Sequence, residues 1–319
     1  MNKQRSYEKS MALYRRALEL IPGGAQTSSK RPTAFALGAY PIYAQDAAGA
    51  RVQDVDGNWY VDYVLGLGPI TLGYCYPAVD EAIAEQLERG IIYGLLSPKE
   101  VEAAEAICAM VPCAEMVRFL KGGSEATSAA ARLARAYTGR DLILNCGYRG
   151  WADVWTAESQ AGQKGVPACF GPSICSLPRY DLHALADLLE QHKGEVAAVF
   201  MDAVAYSVPL PEGYLQGVRE LCDEHGVLLV YDEIVTGFRL APGGAQEYFG
   251  VVPDLACFAK GIANGMPLGA VCGRREVMQT MADLLISVTY GGEALSLAAV
   301  CAALEVYRTE PVFEHLWGV

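Results

Sequence analysis

Uninterrupted apolar runs mark the buried strands of this chain. Residues 227–231 (VLLVY) are all apolar, and the carboxylates Asp232 and Glu233 follow them directly. A run without alternation is typical of a strand covered on both faces, as in a parallel sheet packed between helices. The end of this run is therefore predicted to lie at the carboxyl edge of a buried sheet.

Similar short runs alternate with segments that have helical patterns. From residue 115 to 273 this alternation predicts an α/β fold with a mainly parallel central sheet and helices on both faces. Ser97 and Glu100 form a capping box, and Asp56-Gly57-Asn58 indicates a hairpin within 40–65. The predicted strands are 116–120, 141–146, 196–201, 227–231, 254–259 and 268–273, and the predicted helices are 6–20, 77–90, 97–111, 125–137, 181–192, 214–225, 275–285 and 295–309.

An aspartate and a lysine close two successive apolar runs. In open α/β sheets the ligand lies beyond the carboxyl ends of the strands, so Asp232 is a candidate site residue, and a buried Asp there needs a cationic partner. Lys260 ends the run 254–259 and enters a Gly-rich segment. Desolvation makes a lysine less basic, and a neutral amine can form a Schiff base. Taken singly, Asp232 is explained equally well as a cap of the next turn, and a lysine with its head in water is the commoner case for a residue such as Lys260.

A glycine pair and a serine follow the predicted strand 116–120. Gly123 and Ser124 stand where an Ala-rich helix begins, and the free N–H groups and dipole of a helix N-terminus can hold an anion. A plain tight turn between strand and helix gives the same pattern. The Gly-x-Gly-x-x-Gly motif does not follow any of these strands, which argues against a dinucleotide site.

Composition excludes several classes of protein. The 319 residues are 52% hydrophobic with a net charge of −12, and no Lys/Arg run suggests nucleic acid as a partner. Ten cysteines form no CxxC pair and four histidines lack metal-ligand spacing, so free thiols in a reducing compartment and no metal are expected. No stretch approaches the roughly 18 apolar residues of a membrane span. A cytoplasmic protein without a membrane segment is predicted.

Two longer stretches resemble a known family. YDEIVTGFR (231–239) and PDLACFAKGIANGMPLGAV (253–271) are similar to the class III aminotransferases, which are fold-type I pyridoxal-phosphate (PLP) enzymes. Within that family, the glutamate-1-semialdehyde 2,1-aminomutase-like branch matches best, and the resemblance extends over nearly the whole chain. It implies that Asp232 pairs with the pyridinium nitrogen of PLP and that Lys260 carries the cofactor's aldehyde.

The resemblance also assigns roles around the ring. It implies that Gly123 and Ser124 bind the PLP phosphate, and that Tyr148 stacks on one ring face with Val235 on the other. As a lone aromatic in a Gly-flanked loop, Tyr148 is equally well explained as core filling. Thr289 is implied to cross the interface of a homodimer and bind the phosphate of the other subunit, with an ordinary polar strand residue as the alternative.

Four positions carry weaker or open predictions. Arg31, on an N-terminal arm, is a candidate for holding a substrate carboxylate. Relatives mostly have His where this chain has Arg149, which either serves an anionic substrate group or points to solvent. Relatives usually have Glu-Pro where Asp202 stands, and this shorter carboxylate is a candidate cofactor contact. Glu293 is interpreted as a solvated loop carboxylate.

Three parts are predicted along the chain: an N-terminal arm with part of a small domain (1–70), a large PLP-binding domain (71–294), and the start of a C-terminal small domain (295–319). Members of the family usually continue beyond this point, so a truncated small domain is expected.

The predicted function is that of a PLP-dependent aminotransferase acting on an amino donor and a keto or aldehyde acceptor. Lys260 would also move the substrate's α-proton. The changes at Arg149 and Asp202 disfavour the aminomutase reaction, which stays an alternative. A catalytically inert PLP-binding homologue is the other alternative. The substrate itself is not predicted.

Overall fold

The computed structural model describes residues 5–157, 164–205 and 208–319. The strands are β1 Ala44–Ala48, β2 Arg51–Asp54, β3 Trp59–Val61, β4 Met116–Leu120, β5 Leu142–Cys146, β6 Ile174–Ser176, β7 Val196–Met201, β8 Leu228–Asp232, β9 Leu255–Phe258 and β10 Gly269–Gly273. The α-helices are α1 Glu8–Leu20, α2 Pro77–Arg89, α3 Pro98–Met110, α4 Gly123–Thr138, α5 Asp153–Thr156, α6 Leu182–Gln191, α7 Tyr214–His225, α8 Ala245–Phe249, α9 Arg275–Gln279, α10 Ala294–Thr309 and α11 Val312–Gly318.

The central sheet has seven strands in the order β4-β10-β9-β8-β7-β5-β6. The pairs β9–β8, β8–β7, β7–β5 and β5–β6 are parallel, whereas β10 is antiparallel to both of its neighbours. Every residue of β5, β7, β8, β9 and β10 is buried. The α/β fold with a mainly parallel sheet is thus confirmed, and so is the interpretation of apolar runs as strands buried on both faces.

The two faces of the sheet build two separate cores. Val230 and Phe200 point to one face and pack with the Ala-rich side of α4, including Leu133. Leu229 and Tyr231 point to the opposite face and pack with residues of α6 and α7. Alternate residues of one strand therefore enter different cores, because successive side chains of a strand point to opposite faces. Both faces of the sheet are packed, so the residues at its carboxyl edge are supported from two sides.

The chain divides into two compact units, Met1–Leu67 with Leu72–Pro77, and Gly68–Thr71 with Ala78–Val319. The first contains α1 and an antiparallel β1-β2-β3 sheet, with the predicted hairpin turn between β2 and β3. The second contains the seven-stranded sheet, and α10 packs there against α3. The predicted three-part division stays a prediction.

Helix ends are where the predicted elements depart most from the structure. α3 begins after Ser97 with the predicted capping box in place. α4 begins two residues earlier than predicted, because Gly122 and Gly123 already adopt the cap and first-turn positions. The predicted helix 275–285 stops at Gln279 and continues as a short 3-10 turn, Thr280–Asp283, before the chain becomes extended. α11 was not predicted.

Across the described ranges, no helix is both long and apolar enough to cross a membrane. The same residues contain no group of three or more His, Cys, Asp or Glu side chains arranged to hold a metal ion. All ten cysteines are free thiols.

Candidate active site

A cavity of about 460 Å³ lies at the carboxyl edge of the central sheet. It is bordered by the residues that follow β5, β7, β8 and β9 and by the start of α4. Eight of the predicted site residues line it together. They are Gly123, Ser124, Tyr148, Arg149, Asp202, Asp232, Val235 and Lys260, joined by Gly150, Arg179, Ile234 and Ala259.

Asp232 is the last residue of β8 and forms the buried end of this cavity. Its Oδ1 accepts a hydrogen bond from the backbone N–H of Ile234 at 3.0 Å, and its Oδ2 accepts one from Arg149 Nη1 at 2.9 Å. Burial raises the pKa of the Asp232 carboxyl, and the Arg149 guanidinium acts in the opposite direction. The cationic partner that the sequence demanded for a buried Asp is therefore Arg149.

Arg149 is among the most completely buried side chains of the protein, at 2% exposure. Besides Asp232, its Nη1 donates to Asp202 Oδ1 at 3.0 Å and to the carbonyl of Tyr148, and its Nη2 donates to the carbonyl of Cys146. The interpretation that Arg149 points to solvent is wrong, because two carboxylates hold it inside. The predicted contact with an anionic substrate group gains no support, since the guanidinium already faces protein carboxylates.

Asp202 follows β7 and joins two arginines. Its Oδ1 bonds Arg149, and its Oδ2 accepts from Arg179 Nη2 at 3.1 Å. Sequence reasoning missed Arg179, which lies in the irregular segment after β6 where no motif singles it out.

Lys260 comes two residues after β9, and its side chain enters the cavity half-buried. Its backbone has φ 51°, a left-handed conformation that costs energy in a non-glycine residue and is often found at functional sites. Burial lowers the pKa of the Lys260 amine; the Asp232 charge opposes this shift and the Arg239 charge adds to it. More of this amine is neutral, and hence nucleophilic, than of a solvated lysine at the same pH.

The N-terminus of α4 closes the end of the cavity near Gly123 and Ser124. This 16-residue helix begins with Gly122 at the cap position and without a side-chain cap. A Cβ on Gly123 would lie 2.6 Å from Ile234 Cδ1, and one on Gly150 would lie 2.2 Å from Ser124 Oγ. At Gly150 the clash also reaches the Ser124 backbone, so only glycine fits there. The first N–H groups of α4 have no acceptor within the helix and are available for an anion.

Comparisons with known proteins agree with this geometry. The profile of the family "Aminotransferase class-III" matches residues 35–316. The glutamate-1-semialdehyde 2,1-aminomutase of Syntrophobacter fumaroxidans is 40% identical over 326 aligned positions, which cover 97% of this chain and 75% of the relative. The chain belongs to the class III aminotransferase family. The predicted family membership and its PLP-dependent class of enzyme are thereby confirmed.

Solved structures of two other proteins superpose closely on this chain. The FumI protein of Sphingopyxis sp. MTA144, solved as the PLP internal aldimine, is 31% identical with a TM-score of 0.91 and covers 96% of this chain and 74% of its own. The omega-transaminase of Sphaerobacter thermophilus is 30% identical with a TM-score of 0.84 and covers 94% and 74%.

The cavity suits the cofactor of this family. PLP carries an anionic phosphate, an aldehyde and a basic ring nitrogen, and the cavity offers a partner for each: the uncapped start of α4, the amine of Lys260 and the carboxylate of Asp232. The backbone cradle formed by Gly123 and Gly150 would be filled by any larger residue. The donor set therefore fits PLP.

The two residues predicted to pack on the PLP ring, Tyr148 and Val235, both line the cavity. The two predicted polar contacts, Arg31 and Thr289, are not among its lining residues. The ring of Tyr148 is 77% exposed at the edge of the cavity. Arg31 lies in the first compact unit, where its side chain passes Gly23. Thr289 is exposed on the second unit, in a surface groove with Tyr93. The ring-stacking, substrate and inter-subunit roles remain predictions.

Glu293 corrects one interpretation. It is 5% exposed, so it is not a solvated loop carboxylate. Its oxygens accept hydrogen bonds from the backbone N–H groups of Leu295 and Ser296 and cap α10, and Lys121 Nζ lies 2.6 Å from Oε1. The Lys121 ammonium and the helix N–H groups hold the pKa of Glu293 below its usual value despite burial. A Glu directly before an Ala-rich helix was the signal for this cap.

Proposed function

We propose that this chain is a PLP-dependent transaminase, which moves an amino group between a small-molecule amino donor and a keto or aldehyde acceptor. The observation that carries the proposal is the single cavity onto which Lys260, Asp232 and the uncapped start of α4 converge. The intact set of these groups speaks against an inert PLP-binding homologue.

Each residue has a defined task in this proposal. PLP, when bound, supplies an aldehyde for the amine and an electron-withdrawing ring. Gly123 and Ser124 hold the phosphate through the N–H groups and dipole of α4. Asp232 would pair with the ring nitrogen and favour its protonated form, while Tyr148 and Val235 would hold the two faces of the ring.

Lys260 has two tasks. Its Nζ would hold the cofactor's aldehyde, and as a free amine it would accept the proton from the substrate carbon that bears the amino group. The lowered pKa of Lys260 supports this, because only the neutral amine can attack a carbonyl or accept a proton. Asp202 holds Arg149 and Arg179 in the structure, and its contact with the cofactor stays a prediction.

Trapping with borohydride tests the anchor. The full chain is mixed with PLP, reduced, digested and mapped by mass spectrometry. We expect the PLP adduct on the peptide that contains Lys260 in the wild type and in Lys193→Ala, whose lysine is a surface residue with 73% of its side chain exposed. Lys260→Ala should carry no adduct. An adduct on another lysine in the wild type would contradict the proposal.

A second candidate function is intramolecular transfer, as in an aminomutase. The relative with 40% identity bears the name glutamate-1-semialdehyde 2,1-aminomutase, and this favours the candidate. Two assays distinguish the functions. One supplies glutamate 1-semialdehyde alone, and the other supplies a panel of amino donors with separate carbonyl acceptors. Turnover of the donor–acceptor pairs only is the expected result, and turnover of the semialdehyde alone would replace transaminase by aminomutase.

We further propose a homodimer. Leu95 and Leu96 are each 86% exposed and line a groove together with Thr289, on the same unit as Leu285, which is 82% exposed. Exposed apolar side chains grouped in this way are typical of protein interfaces. In this proposal Thr289 reaches the phosphate site of the partner.

Sedimentation measurements test the dimer. The wild type is expected to sediment as a dimer and Leu95→Glu/Leu96→Glu as a monomer. Val252→Glu, which alters an exposed apolar residue outside the groove, is the matched control and should stay dimeric. A monomeric wild type would contradict the homodimer.

A further inference from the structure

Asp232 shares its surroundings with three other charged side chains. Arg149 contacts it directly, while Asp202 and Lys260 are close enough to affect its charge. Arg149 is completely buried in its side chain and bonds Asp232 at 2.9 Å and Asp202 at 3.0 Å through the same Nη1. One guanidinium therefore joins the two strand-end carboxylates of β7 and β8.

The arginines and aspartates of this group balance, and a protonated Lys260 adds one positive charge. Two guanidinium groups, Arg149 and Arg179, face two carboxylates, Asp202 and Asp232. A guanidinium stays charged at any pH in which proteins are folded, so the positive charge of Arg149 beside Asp232 is permanent. A ring nitrogen placed against Asp232 would meet a carboxylate whose negative charge is already shared with Arg149.

We propose that Arg149 is a positioning residue, which fixes the Asp232 carboxylate. With Arg149 present, the ring nitrogen of bound PLP holds its proton less tightly than it would beside an Asp232 that lacks this partner. The inference rests on the proposed function, because it concerns the same cofactor. A ring nitrogen that binds its proton less tightly withdraws fewer electrons from the substrate. Arg149 thus adjusts the electronic demand of the site without touching the reacting atoms.

The direction of the effect follows from Coulomb's law. The proton on the ring nitrogen is stabilised by negative charge nearby and destabilised by positive charge. Removing the charge of Arg149 strengthens the net negative field at Asp232, whereas removing the charge of Asp202 weakens it. The two changes therefore act in opposite directions, which a purely structural role of the cluster would not produce.

Nitrogen NMR of PLP labelled with ¹⁵N in the ring, bound to the full chain, measures this directly. The midpoint at which the ring nitrogen loses its proton is expected to rise in Arg149→Gln by about one to three pH units, the usual effect of one charge at this range. In Asp202→Asn it is expected to fall. An unchanged or lowered midpoint in Arg149→Gln overturns the inference, and if that variant does not fold, a midpoint in Asp202→Asn that fails to fall does so.

A double-mutant cycle on the PLP-free full chain tests the pair by itself. Arg149→Gln leaves Asp232 buried without its cation, so we expect this variant to be less stable than the wild type. The same change should cost less stability when it is made in the background of Asp232→Asn. Without Arg149, burial raises the pKa of Asp232 further above its unfolded value, so stability is lost as pH rises through that pKa. The deficit of Arg149→Gln should therefore grow with pH. Additive, pH-independent effects overturn the pairing.

The two failures can be told apart. If PLP binds neither the wild type nor any variant, the proposed function fails and this inference falls with it. If PLP binds and the NMR midpoint does not respond as stated, only the role of Arg149 is overturned.

Discussion

Asp232 and Asp254 are both buried aspartates at strand ends of the same sheet. They differ in how many acceptor positions of the carboxylate remain unused by the protein and open to a ligand. Asp254 precedes β9 and accepts three hydrogen bonds, from Arg274 Nη1 at 2.6 Å, Arg219 Nη1 at 2.9 Å and the N–H of Leu229 at 2.7 Å. Asp232 ends β8 and accepts two, from Ile234 N–H and Arg149, beside a cavity.

Burial and an arginine partner are common to the two aspartates and do not identify a functional carboxylate. A carboxylate has about four acceptor positions, so Asp254 is nearly saturated by the protein, whereas Asp232 retains room for a donor. Asp254 lies at the amino edge of the parallel strands and Asp232 at their carboxyl edge, where α/β folds bind ligands. The position in the sheet separates a structural aspartate from a site aspartate.

The largest expected effect is on catalysis at Asp232. Asp232→Asn removes the charge that faces the ring nitrogen, and we expect turnover to fall about 10²–10³-fold, as for other preorganised electrostatic contacts. Because burial raises the pKa of Asp232, its charge is not favourable to folding, and stability should change less than in Asp254→Asn. Steady-state kinetics and urea unfolding measure both. Full activity in Asp232→Asn would remove the distinction between the two aspartates.

The reverse is expected for Asp254→Asn. The change leaves donors of Arg219 and Arg274 poorly paired, at a cost of about 1–3 kcal/mol in the free energy of unfolding. Turnover per folded molecule should stay near that of the wild type. Asp223→Asn, which alters the exposed partner of Arg219, is the matched control and should cost no more than about 1 kcal/mol. Equal losses in the two variants would show that burial of Asp254 contributes nothing.

The pH dependence of Lys260 sharpens the comparison on the cavity side. Burial disfavours the ammonium form, so its proton leaves at lower pH than the 10.5 of an ordinary lysine. Competitive acetylation of the PLP-free chain at increasing pH, read by mass spectrometry, should give a midpoint below 10.5 for Lys260. A midpoint for Lys260 at or above 10.5 would contradict the desolvated amine.

The smallest effect is expected at Glu293, a buried carboxylate with a purely structural task. Glu293→Gln weakens the cap of α10 and the ion pair with Lys121, and should lower the free energy of unfolding by about 0.5–2 kcal/mol. Thermal unfolding measures this, and PLP trapping at Lys260 should be unchanged. Glu305→Gln, on an exposed face of α10, is the control and should have less effect.

Much of the fold was predictable because its signals are local. An unbroken apolar run such as 227–231 requires burial on both faces, and the capping box at Ser97 and Glu100 is complete within four residues. Lys260 and Asp232 were predictable as site residues because each ends such a run.

The unpredicted features depend on contacts between residues far apart in the chain. Arg149 was singled out only as a departure, and nothing in the sequence pairs it with Asp202, 53 residues away, or with Asp232, 83 residues away. Arg179 has no motif at all. These side chains meet because parallel strands bring their carboxyl ends to one edge, and which of several charged residues then pair is decided by packing.

A crystal structure of the full chain with PLP bound tests the central claim most directly. The account predicts continuous density from Lys260 Nζ to the cofactor, the ring nitrogen within hydrogen-bonding distance of Asp232, and the phosphate at the N–H groups of Gly123 and Ser124. PLP bound elsewhere, or in this cavity with its ring nitrogen turned away from Asp232, would contradict it.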